Sequence, residues 1–130
     1  MKTRHLLPGF LLLALTFGCS QGQNESSLPA LTFADKIAQT PDGTVIDVRT
    51  PQEFSESHLA NARNIDWNGG HFEHMLMGLD KTKPVFVYCQ KGGRSASAAS
   101  KMRSLGFKAV FELDGGIDAW QSAKLPLTKE

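Results

Sequence analysis

The sequence predicts an α/β fold, a parallel β-sheet core flanked by helices on both faces, and two observations carry that expectation. Three short apolar runs, Val45-Ile46-Asp47-Val48, Pro84-Val85-Phe86-Val87-Tyr88 and Ala109 to Leu113, have the length of strands and lack the apolar–polar alternation of a sheet with one wet face. Each run leads into a turn and then a segment of helical spacing, and strands that alternate with helices build parallel sheets. The 130 residues suit one domain, and 41% hydrophobic with 21% charged residues is the composition of a chain that buries a core.

Taken in order, Leu31, Phe33, Ala34, Ile37 and Ala38 surround Thr32 and Asp35, a pattern that predicts a short capped helix ending before Pro41-Asp42-Gly43. Val45 opens the first strand. Thr50-Pro51-Gln52-Glu53 then supplies a cap hydroxyl, a proline at the first helical position and a carboxylate at the third, a strong helix start that turns Phe54 inward. Asn64-Ile65-Asp66 is too short to assign. His71 to Leu79 places Phe72, Met75, Leu76 and Leu79 at helical spacing. Beyond the second strand, Ser95 to Leu105 reads as a helix with Ala98, Ala99, Met102 and Leu105 on one side and Gly106 just past its end. Gly115-Gly116 makes a turn after the third strand and precedes a last helix with Ala119, Trp120 and Ala123; Trp120 and Phe111 belong to the core.

Charge and cysteine content exclude whole classes of function. With 14 Lys+Arg against 13 Asp+Glu the charge balance writes in no polyelectrolyte partner such as nucleic acid, and two cysteines cannot build a disulfide scaffold. The amino terminus is different in kind from the rest. Lys2 and Arg4 precede an apolar run from Leu6 to Phe17 that ends at Gly18 before Cys19, the profile of a signal peptide over residues 1–18. The run is shorter than the ~20 apolar residues a spanning helix needs. The Gly18-Cys19 junction resembles a bacterial lipoprotein cleavage site, which implies a diacylglycerol on Cys19. Thr16 stands where such sites favour leucine, and ordinary cleavage nearby with a free Cys19 is the alternative. Loss of the leader removes Lys2 and Arg4 and leaves 12 Lys+Arg against 13 Asp+Glu, so contact with a membrane would run through the lipid anchor only. Residues 19–30 are polar and read as a tether, with the functional domain at 31–130. The expected location is the exported face of a bacterial cell envelope, as a lipoprotein facing the periplasm. Ser20 after the cysteine resembles outer-membrane sorting.

The chemistry gathers at Cys89, at the carboxyl end of a strand, where ligands of parallel sheets bind. Cys89-Gln90-Lys91-Gly92-Gly93-Arg94-Ser95 runs as a six-residue loop into a helix. The adjacent glycines let backbone amides converge, the helix start adds unpaired amides, and Lys91 and Arg94 add positive charge. Such surroundings favour thiolate over thiol and make Cys89 a nucleophile. A small apolar side chain ending a buried strand is the plainer reading of a free cysteine. It leaves the two glycines and two cations within five residues without a purpose.

This loop resembles the active-site loop of rhodanese-type sulfurtransferases. Two further segments agree with that family: Asp47-Val48-Arg49 followed by Glu53-Phe54 and His58-Leu59-Ala60-Asn61-Ala62, and the closing Leu113-Asp114-Gly115-Gly116-Ile117-Asp118-Ala119-Trp120. Ser57, Ala60, Asn61 and Lys124 depart from it at turns. The resemblance implies a single rhodanese-like domain that moves sulfane sulfur from a small anionic donor such as thiosulfate to a thiol or cyanide acceptor through a persulfide on Cys89, with no cofactor. Gln90, Lys91, Gly92, Gly93, Arg94 and Ser95 would bind the donor, Arg49 is a further candidate, and Asp47 is structural. Arg94 could instead tie the loop to Asp47. A non-enzymatic persulfide carrier or protein-binding module is the competing class. Phosphatases of related architecture separate cysteine and arginine by one residue more than the four found here, and thiol–disulfide exchange would need a second cysteine nearby. His71 and His74 lack further metal ligands and read as a polar helix face, and His58 satisfies backbone groups near a turn.

Overall fold

The computed structural model describes residues 26–130. The leader, Cys19 and most of the polar segment behind it lie outside the described residues. In chain order the elements are β1 (Ser27–Leu28), α1 (Ala30–Ala38), β2 (Thr44–Asp47), α2 (Pro51–Glu56), β3 (Arg63–Asn64), α3 (Phe72–Leu76), β4 (Val85–Tyr88), α4 (Gly93–Ser104), β5 (Val110–Leu113) and α5 (Gly116–Ser122). The strands form one sheet in the order β1-β5-β4-β2-β3, every pair parallel.

The pleat of the central strands explains why both faces are covered. Successive side chains of a strand point to opposite faces. Val85, Val87 and Cys89 join Ile46 and Val48 under Phe72 and Leu76 of α3 and Ala98, Ala99 and Met102 of α4. Phe86 and Tyr88 join Val45 and Leu113 on the other face, under Phe33 of α1 and Ile117 and Trp120 of α5. Phe33 meets Phe86 and Trp120 edge-on, at centroid separations of 5.6 and 6.5 Å. A continuous apolar run is what a strand buried on two sides requires, and all of β4 is buried.

Several elements differ from the sequence reading, each for a local reason. The domain starts before residue 31: the amide of Glu112 donates to the Ser26 carbonyl at 2.7 Å and that of Asp114 to Leu28 at 2.9 Å, so the end of the expected tether is an edge strand. α1 starts at Ala30 behind Pro29 and has no side-chain cap; Thr32 lies exposed within it. Phe54 is half-buried and stacks on the His58 ring at 3.7 Å, since α2 lies at the periphery and buries none of its residues. The helix expected over 71–79 shrinks to five residues, with Met75 45% exposed. Phe111 is only partly buried and carries the Lys36 ammonium over its ring at 4.6 Å. Asn61 and Lys124 have φ of 62° and 59°, the left-handed region that glycine adopts freely. The side chains there cost about 1 kcal/mol each, least for asparagine. Among the described residues no helix is long and apolar enough to cross a membrane.

Candidate active site

Cys89 follows β4 directly and is 1% exposed. The amide of Gly92 donates to its Sγ at 3.1 Å, and the Ser95 hydroxyl oxygen lies 3.4 Å away. Burial pushes the thiol up, but the Ser95 hydroxyl and the amides of Ser95, Gly92 and Lys91 outweigh it together and bring Cys89 below the ordinary 9.0. The hydroxyl of Ser95 also lies 3.1 Å from the Gly92 carbonyl, which it serves as donor. A single hydroxyl hydrogen therefore has two acceptors, and it turns to the sulfur when the sulfur is charged.

The direction of the loop amides has a cause on another element. The amides of Ile117 and Asp118, at the start of α5, donate to the carbonyls of Cys89 at 2.9 Å and Gln90 at 3.2 Å. In a trans peptide the N–H points opposite to the C=O, so carbonyls held by α5 send the next amides, those of Gln90 and Lys91, away from α5. Gly92 completes the turn with φ of 112°, and α4 begins at Gly93, two residues earlier than its sequence suggests. Arg94 and Ser95 thus stand on the first turn of a helix and not in a free loop.

The cations are arranged differently from the expectation. Arg94 donates through both Nη atoms to the two oxygens of Glu53, at 2.8 and 3.0 Å, and not to Asp47. Glu53 is held in place by a capping box, its amide bonded to Thr50 Oγ1 at 3.2 Å and its carboxylate accepting from the Thr50 amide at 2.9 Å. The Arg94 bond, joined by those from Thr50, outweighs desolvation and lowers the Glu53 carboxyl to about 2. Arg49 is 3% exposed; its Nε and Nη2 donate to the Asp47 carboxylate, its Nη2 also to the Ser57 carbonyl at 2.7 Å and its Nη1 to Gln90 Oε1 at 3.3 Å. It braces the loop through Gln90 and does not line the hollow beside Cys89. Asp47 is structural, in agreement with the sequence. Gln90 Nε2 donates in turn to Asp118 Oδ1. Lys91 is exposed and has no ionic partner among the described residues. Cys89, Gln90, Lys91, Gly93 and Arg94 line an open hollow of about 360 Å³.

Three participants have roles that sequence reasoning does not assign: Glu53 reads as a helix start, Gly116 as a turn, and these two and Asp118 fall in the family segments, with nothing local to name the contacts each makes at the site. Among the described residues no group of His, Cys, Asp and Glu could hold a metal ion, and His71 and His74 are exposed. The ring nitrogens of His58 lie 2.8 and 2.7 Å from the Phe54 and Glu130 carbonyl oxygens, the backbone role read for it. The arrangement offers a buried, ionisable sulfur that faces a hollow through which a small molecule can reach it.

A family model described as a rhodanese-like domain matches residues 30–123. Thiosulfate sulfurtransferase GlpE of Ectopseudomonas mendocina is 35% identical over 78 residues, 60% of this chain and 70% of that one. The crystal structure of a rhodanese-related protein from Thermoplasma volcanium superposes with a TM-score of 0.71 at 30% identity, over 80% of this chain and 98% of its own. The polysulfide-sulfur transferase homodimer of Wolinella succinogenes does so with a TM-score of 0.67 at 33% identity, over 78% and 77% of the two chains.

Proposed function

The chain belongs to the rhodanese-like domain family, and from that premise we propose that it is a sulfurtransferase that works through a persulfide on Cys89. The thiolate attacks the outer sulfur of a sulfane donor such as thiosulfate. The donor's S–S bond breaks and its electron pair leaves with sulfite. An acceptor thiolate or cyanide then takes the terminal sulfur of the persulfide and returns Cys89 as thiolate. The observation that carries this reading is the set of donors round Sγ, led by the Ser95 hydroxyl and including the Gly92 amide at 3.1 Å. They hold the charge without a general base, and they can follow it onto the outer sulfur once the persulfide forms. The relatives' names as thiosulfate sulfurtransferases support the same chemistry. Purified protein treated with thiosulfate should gain one sulfur atom by intact mass, localised to Cys89 and removed by cyanide. A mass that never changes under any sulfane donor defeats the proposal.

We further propose that residues 1–18 direct export, that Cys19 receives the lipid, and that the domain faces the periplasm from a bacterial envelope membrane. The charged start, the apolar run and the small residue before Cys19 support this. Cells fed a labelled fatty acid should label the protein, and Cys19→Ser should lose the label. Equal labelling of both excludes Cys19 as the attachment point.

A further inference from the structure

The nearly neutral chain folds so that its charges separate toward opposite ends of the sheet. We infer that the end at which the strands begin docks on an anionic phospholipid surface and holds Cys89 away from it, an inference that rests on the lipid anchor proposed above. This end carries the loops before β4 and β5, joined where the Lys108 amide donates to the Lys81 carbonyl at 3.0 Å. The amino-terminal segment enters beside them, with Ser26 one step before the Ser27–Glu112 pair and therefore level with Phe111 near the start of β5. Ser26, Lys36, Arg103 and Lys108 line one hollow of about 400 Å³ there. Arg103 is paired with Glu112. Lys36, Lys81, Lys83 and Lys108 form no ion pair among the described residues. Lys36 lies over the Phe111 ring and Lys81 Nζ donates to the uncharged Leu105 carbonyl at 2.7 Å, so both keep a full charge. Asp80, exposed between them, is turned onto the amide and hydroxyl of Thr82. Toward β2 and β3, Arg63 and Asp42 offset each other, and Asp35 is exposed on α1.

At the carboxyl ends of the strands the balance is reversed. Arg49 and Arg94 are paired with Asp47 and Glu53, which leaves Lys91 against Asp66, Asp114 and Asp118. An anionic surface therefore attracts one end of the domain and repels the other, over a range of about 8 Å at physiological salt. The anchor brings the attracted end within that range. Cys19 and Ser26 are seven residue steps apart, at most about 25 Å of extended chain, and the segment between them carries one charge, that of Glu25. The balanced total conceals this separation, which is why the sequence points to membrane contact through the lipid alone. With the lysines on the surface, the hollow beside Cys89 opens to the aqueous side, where soluble donors and acceptors arrive.

The test uses protein purified from cell membranes, its acyl chains counted by intact mass. It is reconstituted into vesicles of phosphatidylcholine alone or with roughly one-third phosphatidylglycerol. A water-soluble acylating reagent then reads lysine exposure residue by residue. On the anionic vesicles Lys81, Lys83 and Lys108 should react several-fold more slowly than on the neutral ones, Lys91 should react equally on both, and high salt should erase the difference. Lys83→Glu combined with Lys108→Glu, exposed positions remote from Cys89, should remove the protection of Lys81 and leave sulfur transfer from soluble donors unchanged. Equal labelling of the three lysines on both vesicles, or protection of Lys91 in their place, overturns the inference and leaves the anchor standing. Purified protein without acyl chains overturns the anchor and the inference with it.

Discussion

Cys89→Ser should abolish sulfur transfer while leaving a folded protein. Serine fits the space, and its oxygen can still accept from the Gly92 amide, so the cost in stability is about 1–2 kcal/mol from a polar group in a buried, sulfur-sized site. The chemical loss is complete. An alcohol in the same cradle stays protonated and does not attack sulfane sulfur, so turnover should fall to the background of the donor and acceptor alone, and no sulfur should be found on the protein. The wild-type thiol supplies the complementary measurement. Its pKa lies below 9.0, so the thiolate fraction and the rate of iodoacetamide alkylation should fall as pH falls, with a midpoint below that of an unperturbed cysteine. Ser95→Ala should move that midpoint upward, since the Ser95 hydroxyl leads the influences that oppose desolvation. A midpoint at or above 9.0, or one that ignores Ser95, contradicts the geometry on which the mechanism stands.

What could be read from the chain and what could not divides by sequence distance. The β4–Cys89–α4 unit was legible because its strand, turn glycines and helix lie within one short segment, and the strand's burial on both faces is written in its own unbroken apolar run. The capping box at Thr50 and Glu53 was legible for the same reason. Glu53's second duty was not, because it joins Arg94 across 41 positions and nothing local at either residue names the other. The same holds for β1, two residues whose strand character exists only through pairing with β5, and for Arg49, whose place at a strand's end gives no sign of its bonds to the Ser57 carbonyl and to Gln90, 8 and 41 positions away. Composition misled at the tether for a physical reason: edge strands of two residues need no apolar pattern. α3 is shorter than its spacing suggests because only Phe72 and Leu76 are buried in it, while Leu79 packs against the core from the turn beyond the helix and Met75 faces outward.

The position that most sharply joins fold to chemistry is Gly116, and Gly116→Ala should be the most damaging conservative substitution outside Cys89. A Cβ there would stand 2.4 Å from the Gln90 carbonyl oxygen and 2.6 Å from that of Cys89, backbone atoms that cannot swing aside as a flexible side chain would. The residue also has φ of 64°, which alanine adopts at a cost of about 1–2 kcal/mol. With the steric strain added, the expected loss is about 2–5 kcal/mol in denaturant unfolding. Gly93→Ala is the control, since a Cβ at Gly93 meets nothing within 4 Å and the backbone there is not left-handed; its stability should match or slightly exceed the wild type. Where the Gly116 variant still folds, the two carbonyls must move off the amides of Ile117 and Asp118, and their peptides must rotate with them. The loop amides then turn from the sulfur, so the Cys89 alkylation midpoint should rise along with the loss of activity. A variant that is destabilised yet keeps the wild-type midpoint would show that α5 supports the fold without aiming the loop, and the link drawn between that helix and the thiolate would be wrong.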